Sequence, residues 1–568
     1  MSPVDETRSR RVAVVTGGAV GIGAAIAEEL GRRGVFVVTM DPVVAMDGTP
    51  QTDAPEQTTA QRILDAGGEA RASSTSVTDE DAVRALFSGL VEEFGALDAV
   101  VNVAGISRPT GFASGTEEDW ARVLNVHLDG YLTVLRAALP LMAAAGHGRI
   151  LGVTSGSGWR AADAGAYSCA KRAVAALTWQ IGRAAPDGVT VNALSPIAAT
   201  RMVANALARQ ASTNSGTPSG SSTASGGVAL GAAPPPENLG PVGAYLASDE
   251  FGWATGQVVF SNGAEVSMVA PPHLLEVART TDVTSLAHAL ETVIPVAFAT
   301  AEAGQVSNGG SVPRLGAAFD EPAPETGTTP AARRCAVVTD DTGWGAAIAD
   351  ALASRGVESV GVVPAEVAAG FAGSADQIGR ATGDGGPIDA VVVALMGDGT
   401  TSGTGVGSER WQQILDEHTG ITDDIRRDAG WVRAATDYSA GADRPIRVVT
   451  LTDATAAGGR SRAMAATQLS RAAHTATSDR VDAFAIGVET AAESGRHAAA
   501  ELVAHLVSGA DVAALSGAEL VAASDWVGLR RHPVPVGTVS YGGPAIPDWL
   551  DGAMRRIATG DFDEQGDR

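Results

Sequence analysis

The chain has 568 residues, 45% hydrophobic and 18% charged, with a formal net charge of -25. That length exceeds what a single hydrophobic core accommodates, so at least two domains are expected. The acidic balance argues against a nucleic-acid partner, which would need clustered positive charge, and two cysteines, Cys169 and Cys335, are too few for a disulfide framework or a metal cluster.

No metal site is expected either, since the nine histidines form no ligand-spaced pair. The polar start lacks the apolar core of a signal peptide, and no uncharged apolar run reaches membrane-spanning length without a glycine break. A cytoplasmic protein with no membrane partner is therefore expected.

In chain order, Val12–Thr16, Val35–Thr39, Ala99–Val103, Ile150–Thr154, Val189–Ala193 and Val258–Phe260 are short β-branched runs separated by alanine-rich helical stretches. Such alternation predicts an α/β fold of βαβ units on a doubly wound parallel sheet, Rossmann-like in kind. Thr16-Gly17-Gly18-Ala19-Val20-Gly21-Ile22-Gly23 follows the first strand and opens a predicted helix, Ala24–Leu30. A tight turn, a close approach to a pyrophosphate and close helix–sheet packing each need a residue without a β-carbon, and the helix N-terminus offers free N–H groups to the anion. Asp41 ends the next strand, where a carboxylate accepts hydrogen bonds from an adenosine ribose and repels a 2′-phosphate; NAD is favoured over NADP.

Further along lies Tyr167-Ser168-Cys169-Ala170-Lys171, which holds the only lysine of the chain; the other 39 of its 40 basic residues are arginines. A site that needs a compact ammonium on a flexible stem cannot accept a planar fork. Gln210–Pro236, rich in Ser, Gly, Thr, Ala and Pro, is expected to be a mobile insertion, and Asn308–Ala332 a linker. Between them, His273–Ala303 has helical periodicity at Leu286, Leu290 and Val293.

The second half repeats the first. Arg333–Thr339 matches Arg10–Thr16, Gly343-Trp344-Gly345 matches Gly21-Ile22-Gly23, Ile388–Val392 matches Leu97–Val101, and Trp411–Asp416 matches Trp120–Asn125. Four matches in one order imply duplicated structure and two tandem domains. In the second copy Asp340 and Asp341 stand in the glycine turn, where like charge would expel a pyrophosphate, and Tyr167 and Lys171 fall at about Met464 and Gln468. The expected division is 1–265, 266–332 (extension and linker), 333–545 (non-catalytic copy) and 546–568 (tail).

With the glycine turn, Asn102-Val103-Ala104-Gly105 and Tyr167-x-x-x-Lys171 in this order, residues 10 to about 265 resemble the short-chain dehydrogenase/reductase family. The resemblance implies Asn125, Ser155, Tyr167 and Lys171 as the catalytic group. It implies cofactor contacts at Thr16, Gly17, Gly21, Ile22, Gly23, Asp41, Val77, Asn102, Ala104, Gly105, Tyr167, Lys171, Pro196, Ile197 and Thr200. The implied activity is NAD(H)-dependent interconversion of a secondary alcohol and a ketone on a small hydrophobic substrate, of steroid, terpenoid or acyl type. Trp159, Ser107 and Met202 are candidates for its pocket rim. An ammonium about 5 Å from the phenol would lower its pKa by roughly two units at an effective dielectric near 20. The sequence departs from the family pattern in three places: Ser155 precedes Tyr167 by twelve residues where thirteen is usual and would select Thr154, Ser76 replaces an acidic residue before Val77, and Ile197 replaces a glycine. The two halves are expected to pair as an internal pseudo-dimer, with a homodimer left open. Alternatives are an NADP-dependent 3-oxoacyl or polyketide-type ketoreductase and a nucleotide-binding scaffold protein.

Overall fold

The computed structural model describes residues 10–51, 56–160, 164–201, 234–280, 283–303, 331–364, 370–383, 385–397, 409–477 and 480–560. Met202, nearly all of the expected insertion and linker, and the tail beyond Gly560 lie outside them.

Strands β1 (Val12–Thr16), β2 (Phe36–Met40), β3 (Glu69–Ser73), β4 (Ala99–Asn102), β5 (Gly148–Val153), β6 (Val189–Pro196), β7 (Val258–Ser261) and β8 (Glu265–Ala270) belong to one sheet. β1 is buried along its whole length and pairs in parallel with β2 and β4, as continuous apolar runs do when helices cover both sheet faces. The helices are α1 (Gly21–Arg32), α2 (Thr59–Asp65), α3 (Glu80–Phe94), α4 (Glu117–Leu124), α5 (Gly130–Ala145) and α6 (Ala166–Arg183). α3 is set by the Asp79 carboxylate, which accepts from Ala82 N, and by Gly95 at φ 87°; α4 is set by Thr116, which accepts from Asp119 N. A π-turn, Asn125–Asp129, joins α4 to α5. The whole helical run Glu117–Ala145 is long and apolar enough to cross a membrane, yet 61% of its most apolar window is buried inside the protein.

A second sheet follows with β9 (His273–Arg279), β10 (Arg334–Thr339), β11 (Glu358–Val362), β12 (Ala390–Ala394), β13 (Ile446–Asp453), β14 (Val481–Val488), β15 (Glu519–Ala522) and β16 (Trp526–Arg531); β17 (Val534–Ser540) comes last. The orders are β17-β8-β7-β6-β5-β4-β1-β2-β3 and β11-β10-β12-β13-β14-β15-β16-β9. Both are mostly parallel, so the expected architecture of two Rossmann-like sheets is present.

The linear domain boundaries are not. β9 leaves the first half and pairs antiparallel with β16, while β17 leaves the second half and pairs antiparallel with β8. Each crossing is made at a proline, Pro271-Pro272 in one half and Pro533 in the other, where the missing N–H ends the ladder. The helix Leu550–Thr559, assigned by sequence to a tail, also returns to the first unit: Asp551 accepts from the Tyr245 hydroxyl at 2.7 Å and from Trp253 Nε1 at 2.8 Å. Of the stretch expected to be helical, 273–279 is strand; the helical part buries Leu286 and Leu290 against the second sheet and leaves Val293 exposed.

The units also share a core. One apolar cluster runs through Val14, Phe87, Trp120, Tyr131 and Leu177 into Trp411, Trp431 and Leu469, and α6 packs along the helix Ala457–Ala476.

Candidate active site

The carboxyl ends of β1, β4, β5 and β6 carry the candidate residues. Gly17 has φ +64°, and a β-carbon there would lie 2.8 Å from the Ala104 backbone; one on Gly23 would lie 2.2 Å from the Gly17 carbonyl oxygen. Glycine is therefore required at both positions. Thr16 fastens the strand ends, its hydroxyl donating to Asn102 Oδ1 at 2.8 Å and accepting from Ala104 N at 3.1 Å. No side chain caps α1, because Val20 occupies the N-cap. Gly21 and Ile22 open that helix. Asp41 lies beside the turn, accepting from Ala19 N at 3.1 Å and Val43 N at 2.8 Å. A glycine-lined cradle, an uncapped helix start and an adjacent carboxylate fit the diphosphate and ribose of a dinucleotide.

The remaining expected contacts are placed as follows. Gly105 lies against the His127 ring, which a β-carbon would meet at 2.5 Å. Val77 is buried under Gly130. Pro196 ends β6 opposite Ser261, Ile197 N donates to the Ser261 carbonyl at 3.0 Å, and Thr200 N donates to that of Ala198 at 2.8 Å.

Tyr167 and Lys171 project from the first turns of α6. The Ser155 hydroxyl acts on Tyr167, pulling the phenol pKa down, and accepts from Ser157 N at 3.2 Å. Thr154, selected by strict spacing, instead turns its hydroxyl to the Lys171 carbonyl at 2.6 Å. Lys171 Nζ donates to the Val153 carbonyl at 2.7 Å and lies 5.7 Å from the centre of the Tyr167 ring. Burial lowers the Lys171 pKa to about 7.

Two expectations about the catalytic group are corrected. The first is Asn125, which lies exposed in the π-turn. The residue brought to the tyrosine is His127: its ring meets that of Tyr167 edge-on at 5.1 Å, and its Nε2 lies 2.9 Å from the Ile106 carbonyl. Burial and the nearby Lys171 hold the imidazole down to about 3, so it is neutral. Sequence reading missed it because a π-turn shifts which residues share a face. The second concerns the phenol pKa. Burial raises it, and the groups that oppose the rise are Ser155, by its hydrogen bond, and the Arg160 guanidinium; Lys171 is not among them. Trp159 also differs from its expected place on a pocket rim. It is fully buried in a cluster with Trp179, Val258 and Phe260.

At the corresponding turn of the second unit two carboxylates take up backbone N–H groups. Asp341 caps the helix Thr342–Ser354 by accepting from Trp344 N at 2.8 Å, and Asp340 accepts from Met396 N at 3.0 Å. Counting from the helix starts Ala166 and Ala457 puts Gly458 and Arg462, rather than Met464 and Gln468, at the places of Tyr167 and Lys171. Arg462 is held by both oxygens of Asp428, at 2.9 and 2.7 Å.

Residues 11–211 match the family model described as short chain dehydrogenase. The short-chain reductase protein NovJ of Streptomyces niveus is 34% identical over 46% of this chain and 98% of its own length. The cis-4-hydroxycyclohexanecarboxylate dehydrogenase of Sinomonas cyclohexanicum is 37% identical over 45% of this chain and 97% of its own. The N-domain of a bacterial malonyl-CoA reductase, solved with NADP, covers 88% of this chain and 95% of its own at a TM-score of 0.59 and 18% identity, a likeness of fold that takes in both sheets.

Proposed function

The chain belongs to the short-chain dehydrogenase/reductase family, and on that premise we propose that its first unit is an NAD(H)-dependent oxidoreductase interconverting a secondary alcohol and a ketone on a hydrophobic substrate. The observation that carries the reading is the convergence of Ser155, Tyr167 and Lys171 beside a glycine turn whose helix start is left uncapped.

The nicotinamide, when bound, supplies the hydride acceptor or donor. Thr16, Gly17, Gly21, Ile22 and Gly23 would hold the diphosphate side, and Asp41 the adenosine ribose. That carboxylate favours NAD, since a 2′-phosphate beside it would meet like charge. The Tyr167 hydroxyl takes the proton of a substrate hydroxyl in oxidation and returns it in reduction. Ser155 orients the same substrate oxygen and stabilises its developing charge. Lys171 keeps one N–H on Val153 and has further donors for a ribose. Neutral His127 takes the place expected of Asn125, next to Tyr167 and Lys171.

A relative named for a hydroxycyclohexanecarboxylate supports a ring or chain alcohol on an apolar body, of steroid, terpenoid or acyl type. The second unit is read as a non-catalytic copy paired with the first: the strand orders correspond, Asp340 and Asp341 take up its backbone N–H groups, and no lysine is present in it. The test is a panel of secondary alcohols with NAD, following the reduced cofactor, beside Tyr167→Phe. The variant is expected to lose roughly 10²–10⁴-fold in kcat; equal turnover by it would reject the mechanism.

A further inference from the structure

We propose that Gln468, in the second unit, is a positioning residue for the first: it fixes the turn Ser155–Arg160 and thereby sets Ser155 and Arg160 relative to Tyr167. The proposal rests on the reading of Tyr167 as the proton-transfer group.

Gln468 is fully buried on the helix Ala457–Ala476. Its Nε2 donates to the Ser157 carbonyl at 3.1 Å and to the Arg160 carbonyl at 2.8 Å, while its Oε1 accepts from Arg172 Nη1 at 3.3 Å. The surroundings thus present two acceptors and one cationic donor. A primary amide answers all three; a carboxylate lacks the donors and an aliphatic side chain lacks everything. Met464, one turn earlier, packs against the apolar cluster that contains Trp159, which lies between the Ser157 and Arg160 carbonyls in the turn.

The turn is pinned from its other side as well. Gly158 lies so close to α6 that a β-carbon would stand 2.9 Å from Arg172 N. Arg172, fully buried and adjacent to Lys171, pairs with Glu519 on β15 and bonds His532 Nδ1 at 3.0 Å. The second unit therefore grips both the turn and the helix that carries Tyr167. What the turn delivers is the Ser155 hydroxyl and the Arg160 charge, the two influences that pull the phenol pKa down against burial. A loosened turn weakens both.

The experiment uses the full chain with Gln468→Leu, close to isosteric, alongside Tyr167→Phe. Expected for Gln468→Leu are a kcat lower by roughly 10–100-fold, an unchanged KM for NAD, a pH limb of kcat moved to higher pH, and faster amide exchange in the peptide covering 155–160. Unaltered exchange there overturns the proposal whatever the turnover. A normal kcat and an unmoved pH limb, with Tyr167→Phe inactive, also overturn it and leave the catalytic reading standing; an active Tyr167→Phe removes that reading instead. Should Gln468→Leu fail to fold, Gln468→Asn, which keeps the amide and shortens its reach, is measured by the same criteria.

Discussion

Lys171 is 4% exposed, and its ammonium points at a single carbonyl oxygen, that of Val153. The Thr154 hydroxyl and the Gly158 backbone close on its main-chain carbonyl, and its charge acts on the His127 ring. A guanidinium brings a flat fork of five donors, and this enclosure has a partner for few of them. Lys171→Arg is therefore expected to fold and to lose at least roughly a hundredfold in turnover, measured beside circular dichroism; near-normal turnover would show that charge alone suffices. That the lone lysine, the glycine turn and Asp41 stand out was legible in the sequence, because each is an unusual residue type at its place in the βαβ pattern. The choice of Ser155 over Thr154 was legible only in part, since neighbouring hydroxyls differ solely in which way the strand end points them. His127 was not legible at all. Its place depends on the π-turn, and periodicity of 3.6 residues gives no sign of one.

That π-turn carries a second consequence at the level of elements. Its Asp129 reaches across to the helix Ile421–Ala442, accepting from the Thr422 hydroxyl at 2.8 Å, and burial raises its pKa to about 6, with Asp423 adding repulsion. Below about pH 4 the carboxyl is protonated whether the chain is folded or not. Between 4 and 6 only the folded chain keeps the proton, so the stabilisation linked to it declines as pH rises through 6. Asp129→Asn retains an acceptor for Thr422 and has no charge to bury. The variant is expected to gain stability over the parent by about 2 kcal/mol between pH 4 and 7.5, read from thermal unfolding at the two values; a difference that does not grow with pH would contradict the burial argument. Buried strands such as β1 and β12 were readable as continuous apolar runs. β9 and β17 were not, because each is only partly buried and partnered by a strand far away in sequence.

Across the whole molecule the links between the two units include the reciprocal strands β9 and β17, the apolar cluster spanning α6 and the helix Ala457–Ala476, and the buried Arg172–Glu519 pair. A cut at 265 would strip the first sheet of β17 and of the helix bearing Asp551. The repeat in the sequence pointed to two similar halves, but not to each completing the other, because strand exchange leaves the order of matches unchanged. The asymmetry between the halves is chemical. One leaves its helix N-terminus uncapped beside Asp41, and the other closes its own with Asp341. Nucleotide stoichiometry on the intact chain tests this most directly. Calorimetric titration with NADH and NADPH is expected to give one site per chain, filled more tightly by NADH and weakened by Asp41→Ala; two sites per chain, or tighter binding of NADPH, would contradict it.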